Sequence, residues 1–311
     1  MKIEFTKGHG THNDFVLVAD PKDELDLDGE LVRRLTDRRG GIGADGVIRL
    51  APTASVAAAG EEIADEILAE EPAAIWFMDY RNADGSVAEM CGNGVRVFAA
   101  FAERLGYASF GADRGRGRGE SGLALGTRAG VKRVRKESNG WYAVDMGPWS
   151  LPGGDEARDA GYDAGVVVHG WDAPRPGLSV DLGNPHTVVA LSSLDELERL
   201  DLTTAPEVAP PPPHGTNVEL VVPLGDERAP SGEPAGRIRM RVHERGVGET
   251  QSCGTGACAA ALAVRAWQGD TAPDTWFVEI PGGEVRVRAL RDGHVELAGP
   301  AELVFTGTLT V

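Results

Sequence analysis

Along most of the chain apolar and polar positions alternate with the period of two that marks half-buried strands. Segments 15–19, 46–50 and 76–80 read this way in the first half. In the second half, so do 166–168, 179–182, 187–191, 217–222, 237–243, 276–280, 284–289 and 295–297. Asn139-Gly140 between two alternating runs is a hairpin signal, and the residues from Arg81 to Ser86 have the composition of a turn. Helical spacing replaces alternation at 29–38, 93–105 and 193–200 and in the alanine-rich run from Ala257 to Ala266. Segment 60–71 is acidic with Ile63, Ile67 and Leu68 at helical spacing, which predicts a surface helix or an insertion. Strands therefore dominate, with a few helices between them. Gly- and Pro-rich sequence over 147–154 sets a domain boundary: 1–147 forms one domain and 148–302 the other, with the last strand, 303–311, returning to the first. Pro210-Pro211-Pro212-Pro213 is a stiff connector.

Each half contains the same local pattern. Met90-Cys91-Gly92-Asn93-Gly94 and Ser252-Cys253-Gly254-Thr255-Gly256 both precede a small-residue helical run. Asn82 lies nine residues before Cys91 and Glu244 nine before Cys253, so each thiol follows a strand, a polar residue and a glycine-containing loop. A thiol at a helix N-terminus faces unpaired N–H groups and the positive end of the dipole, which lowers its pKa and suits the same place to a carboxylate. Two such helices facing each other place two thiols across one bound carboxylic acid. That arrangement suits removing a proton from one face of a carbon and returning one to the other. A single cysteine is more often inert core, and the duplication is what argues otherwise. Cys258, inside the alanine-rich helix, reads as core filler. Nothing marks the three cysteines as a secreted disulfide framework, and no Cys-x2-Cys or His-x3-His spacing points to a metal.

Composition narrows the classes. At 311 residues, 41% apolar and 25% charged, the chain has the makeup of a globular protein with room for two domains. A net charge of −17 argues against nucleic acid and anionic membranes. Arg114-Gly115-Arg116-Gly117-Arg118 is short and lacks aromatics, so it reads as a solvated loop. There is no signal-peptide pattern and no run long enough to cross a bilayer, which predicts a cytoplasmic protein with reduced thiols. None of the five lysines sits in a setting that suggests a pyridoxal Schiff base.

Taken together, a set of segments resembles the diaminopimelate epimerases, cofactor-independent enzymes of lysine and peptidoglycan precursor synthesis. They are Lys7-Gly8-His9-Gly10-Thr11-His12-Asn13-Asp14-Phe15, Gly43-Ala44-Asp45-Gly46, Asn82-Ala83-Asp84-Gly85-Ser86 and Cys91-Gly92-Asn93-Gly94. Gly183-Asn184-Pro185-His186, Asn217-Val218, Glu244-Arg245-Gly246-Val247-Gly248-Glu249-Thr250 and Cys253-Gly254-Thr255-Gly256 follow in the family's order. The resemblance implies an α/β (α+β) fold of two pseudo-symmetric domains, each a curved, mostly antiparallel sheet around a central helix, with the active site in the cleft between them. It also implies a homodimer acting on a small amino-acid substrate, with neither metal nor pyridoxal phosphate. His12 and Gly46 depart from the usual pattern, the latter standing where some members carry a glutamine that lines the site.

By the same resemblance Cys91 and Cys253 are the acid–base pair, and His186 and Glu244 tune the thiols or orient the substrate ammonium. Asn13, Asn82, Asn184, Asn217, Glu244 and Arg245 match substrate-binding positions, and the N–H groups of Gly92, Asn93, Gly254 and Thr255 would hold the α-carboxylate. The reaction implied is interconversion of LL- and meso-2,6-diaminopimelate. A two-thiol proline or hydroxyproline racemase is the near alternative, against which Arg245 and the asparagines argue, since a proline ring has no second amino-acid end. A thiol-switch redox protein is the alternative from another class.

Overall fold

The period-two segments fold as strands. The computed structural model describes residues 2–110 and 122–310, and the arginine-glycine stretch at 114–118 lies outside them. The chain forms two compact units, Met1–Asp145 with Gly299–Val311, and Met146–Ala298.

In the first unit, β1 (Lys2–Gly10) and β2 (Asn13–Ala19) form an antiparallel hairpin. Helix α1 (Gly29–Thr36) begins where Asp28 Oδ1 accepts the Leu31 N–H at 2.7 Å, an N-cap that satisfies a donor the helix cannot. It carries the chain to β3 (Gly46–Pro52), parallel to β2. Two short helices, α2 (Thr53–Ala58) and α3 (Glu62–Glu70), precede β4 (Trp76–Asn82), which runs antiparallel to β3. The helix expected at 60–71 is present as α3, one of a pair. Its glutamates face solvent, but Ala64 and Ile67 are buried with Ala51, Val56 and Phe77 in a small core of their own.

Helix α4 (Gly92–Arg104) crosses from β4 to β5 (Leu123–Thr127), and β6 (Gly130–Lys136) and β7 (Tyr142–Pro148) continue the sheet antiparallel. The C-terminal strand Glu302–Thr310 pairs antiparallel with the free side of β1. Residues 92–102 of α4 are all buried, and the helix touches β1, β2, β3, β6 and the C-terminal strand. Strands from both ends of the sheet meet one helix, so the sheet curls around it. Gly92, Gly94, Val95 and Val97 are weak helix formers. Burial of Val95, Val97, Phe98 and Phe101, roughly 1.5–3 kcal/mol for each large apolar side chain, makes this segment helical.

The second unit repeats the plan. Helix α5 (Gly154–Ala160) leads to β8 (Ala164–Val167), β9 (Arg175–Asp181) and β10 (Pro185–Ala190), successive antiparallel neighbours. After α6 (Leu194–Arg199), capped by Ser193, the short β11 (Glu207–Ala209) pairs with β8. The proline run joins it to β12 (Asn217–Arg228), parallel to β10. Antiparallel to β12 comes β13 (Pro234–Glu244), with a three-residue strand, β14 (Gly248–Thr250), on its end. Helix α7 (Gly254–Gln268) then crosses to β15 (Thr275–Ile280), parallel to β13, and β16 (Gly283–Ala289) and β17 (His294–Gly299) close the sheet antiparallel. From β9 onward the directions follow the same order as from β1. A helix-bearing parallel crossover precedes β3 and β12, and the central helix fills the next crossover in both. Cys258 is fully buried in α7, as a core residue should be.

Gly46 is a packing requirement. A Cβ there would stand 2.5 Å from the Arg81 carbonyl oxygen and 2.6 Å from the Tyr80 ring, so this backbone leaves no room for a site-lining side chain. We predict that Gly46→Ala lowers stability by about 1–3 kcal/mol, read as a drop in Tm by circular dichroism. An unchanged Tm would mean that β3 and β4 are less tightly joined at this point.

Candidate active site

Cys91 and Cys253 occupy the same structural position, each the N-cap of its unit's central helix. Both have extended backbone angles, and each sulfur accepts from the second glycine of its motif: Gly94 N–H at 3.5 Å and Gly256 N–H at 3.3 Å. Helical geometry leaves the earlier first-turn N–H groups, those of Gly92, Asn93, Gly254 and Thr255, without carbonyl partners inside the helix. No disulfide joins any of the three cysteines.

In the first unit the thiol's neighbour is an amide. Asn13, the first residue of β2, follows a two-residue turn in which Thr11 and His12 both adopt left-handed backbone angles. Cys91 Sγ donates to Asn13 Oδ1 at 3.3 Å, and Asn93 Nδ2 donates to the same oxygen at 3.3 Å. Asn13 Nδ2 donates to Asp45 Oδ2 at 2.8 Å. Arg96, wholly buried in α4, reaches Thr11 Oγ1 and the Pro300 carbonyl, so the central helix holds the turn that presents Asn13. Asn82 ends β4 as expected, but its Nδ2 donates to Ser86 Oγ at 3.0 Å within the following turn.

In the second unit the neighbours are acidic. Glu244, at the end of β13, accepts from Thr250 and interacts with Cys253. His186 in β10 is buried, and its Nδ1 lies 2.7 Å from Oε1 of Glu219 in β12. His186 Nε2 and Glu219 Oε2 are buried with no hydrogen-bond partner among the described residues. Glu219 also reaches the motif. A Cβ on Gly256 would lie 2.8 Å from Glu219 Oε1 and 3.1 Å from Cys253 Sγ, so only glycine lets carboxylate, thiol and helix start approach this closely. Asn217 spends its amide on the scaffold, donating to the Pro185 carbonyl and accepting the Arg245 N–H at 2.9 Å. Asn184 Nδ2 donates to Thr255 Oγ1 at 3.3 Å. Arg245 is exposed, with one guanidinium nitrogen on the His214 carbonyl at 2.8 Å.

The expectation that a helix N-terminus lowers the thiol pKa fails at Cys253. Burial raises it well above the ordinary thiol value, and the charges of Glu244 and Glu219 push the same way. The Thr255 hydroxyl and the Gly256 N–H oppose this and lose. Burial likewise raises the Glu244 and Glu219 carboxyls. Glu219 was not among the residues singled out from the sequence. Its signal was available: a carboxylate within the mostly apolar, buried stretch 217–222 that opens β12, two residues after Asn217.

Comparison with known proteins places the chain in a family. The family model described as diaminopimelate epimerase matches residues 5–152 and 178–304. The diaminopimelate epimerase of Streptomyces coelicolor is 43% identical over 98% of this chain and 95% of its own length. That of Rhodococcus opacus is also 43% identical, over 99% and 97%. Among solved structures, a phenazine biosynthesis protein of the PhzF family from Bacillus anthracis superposes with a TM-score of 0.59 at 15% identity, covering 100% of both chains, which shows a shared fold alone. With its motifs in order over both units, the chain belongs to the diaminopimelate epimerase family.

Proposed function

We propose that this chain interconverts LL- and meso-2,6-diaminopimelate by proton transfer at Cα, using Cys91 and Cys253 and no cofactor. One observation carries the reading: a family member with two structurally equivalent helices, each N-capped by a cysteine sulfur. One cysteine, as thiolate, takes the Cα proton. The electron pair left on carbon is stabilised through the α-carboxylate by first-turn N–H groups, and the second cysteine, as thiol, delivers a proton to the opposite face. The former thiolate ends as thiol and the former thiol as thiolate, so the reverse reaction uses the same groups with roles exchanged. His186 and Glu244 set the polarity around the thiols in this proposal. Asn13, Asn82, Asn184, Asn217 and Arg245 frame the substrate, with the exposed Arg245 guanidinium suited to a carboxylate.

Homodimer formation and a cytoplasmic setting belong to the same proposal. The latter is supported by three cysteines without a disulfide. Among the described residues no helix is long and apolar enough to cross a membrane.

The direct test is incubation with LL-diaminopimelate and, separately, L-proline, followed by chiral chromatography. We expect the first to reach an LL/meso mixture and the second to stay unchanged; racemised proline and untouched diaminopimelate would overturn the reading. Cys91→Ala and Cys253→Ala should each lower turnover by roughly 100- to 10,000-fold, the usual worth of a general acid or base. Cys258→Ala should retain activity. Comparable loss from Cys258→Ala in a folded protein would mean the pair is misassigned.

The acidic surroundings of Cys253 give a pH prediction. Its raised pKa means that thiolate forms, and alkylation proceeds, only above the ordinary thiol range. Glu244→Gln removes a charge that raises it, so the midpoint of the Cys253 alkylation profile should move to lower pH. Iodoacetamide labelling across pH with peptide mass spectrometry reads the shift, and an unmoved or higher midpoint would contradict the electrostatics described.

A further inference from the structure

We propose that Asp45 is a positioning residue for Cys91, orienting the Asn13 amide so that its oxygen rather than its nitrogen meets the thiol. This rests on the reading of Cys91 as an acid–base group. An ionised carboxylate only accepts hydrogen bonds, so the atom of Asn13 that lies 2.8 Å from Asp45 Oδ2 must be Nδ2. That choice fixes the other end of the amide: Oδ1 is turned to Cys91 Sγ and to Asn93 Nδ2. An oxygen facing sulfur accepts from S–H and repels a thiolate, so the pair Asp45–Asn13 holds a proton on Cys91 until substrate displaces the amide. Were the amide reversed, its N–H would stabilise the thiolate instead.

The carboxylate is itself held. Asp45 Oδ2 accepts the Asp14 N–H at 3.1 Å, Oδ1 accepts Arg38 Nη2 at 2.7 Å, and the Asp45 N–H donates to the Asp14 carbonyl at 2.9 Å. The ends of β2 and β3 are thereby tied together under Asn13. The charged groups facing this cluster are Asp14, Arg38, which bridges Asp14 and Asp45, and Lys7, which reaches Asp14 at 2.6 Å. His9 and His12 stack edge-to-face beside the turn, and buried Arg96 lies beneath it. The two carboxyls titrate apart. Asp45 keeps part of its side chain in solvent, yet desolvation and the Asp14 charge push its carboxyl up, whereas at Asp14 the Arg38 and Lys7 hydrogen bonds overcome burial and hold it low.

Asp45→Asn keeps the shape and removes the constraint, because an amide at 45 can donate to a reversed Asn13. We expect Cys91, followed by peptide mass spectrometry, to be alkylated about tenfold faster below its midpoint pH, equivalent to a one-unit shift of the profile. Loss of the Asp45 charge acts in the same direction, so the substitution is repeated on an Asn13→Leu background, where no amide remains to reorient. The acceleration should there shrink to about twofold or less. No acceleration in the first background, or an equal one in both, would overturn the proposal. If Asp45→Asn does not fold, the unaltered protein supplies the test: the Asn13 side-chain 15NH2 resonances should titrate in step with Asp45, whose midpoint lies above the ordinary aspartate value. Asn13 signals indifferent to that titration would overturn it equally. Neither readout involves turnover, so a protein inactive on diaminopimelate would sink the proposed function and leave this result standing.

Discussion

A sulfur that caps a buried helix is fixed by everything that holds the helix. In both units the N–H of the motif's second glycine donates to the cysteine sulfur, and the helix behind it is enclosed by strands from across its sheet. The sulfur cannot move without breaking its cap or shifting a helix with some ten buried residues. The sheets, the parallel crossovers and the apolar runs serve this end. The long strand preceding each motif ends in a polar residue, Asn82 on β4 and Glu244 on β13.

The shared scaffold carries unlike surroundings. Cys91 meets the Asn13 amide, while Cys253 is buried with Glu244 and Glu219. Desolvation and carboxylate charge there outweigh a helix terminus whose influence fades within a turn. Two thiols exchanging the roles of acid and base need not be matched at rest. A substrate carboxylate and ammonium bound as proposed would change the charges each thiol faces.

Much of this was legible in the sequence because the carrying signals are local. Alternation located β2, β3, β4 and β12, the helical run after Cys91 became α4 within a residue at each end, and the duplicated motif marked equivalent positions. Helix α2 was missed because Thr53 to Ala58 has no side-chain cap and too few residues to show a period. Helix α3 was legible from Ile63, Ile67 and Leu68 at helical spacing, and Ile67 is buried on its inner face with Ala64 beside it. Glu219 was overlooked as one charge in the apolar run 217–222, though its phase with Asn217 placed it on the same face. The raised pKa of Cys253 was beyond a local reading: it depends on burial and on residues from β12 and β13, brought together only by the parallel and antiparallel pairings of the sheet.

The central claim is that two different groups carry protons to and from one carbon, and isotope distribution in the first turnovers tests it most directly. In D2O, with LL-diaminopimelate and analysis before the reverse reaction matters, two cysteines require that the meso product carry deuterium at the inverted carbon while recovered substrate keeps its hydrogen. The proton abstracted stays on one sulfur, and the deuterium delivered comes from the other. Deuterium appearing equally in recovered substrate and product, or meso product that retains the original hydrogen, would mean a single group serves both faces and would contradict the two-thiol mechanism.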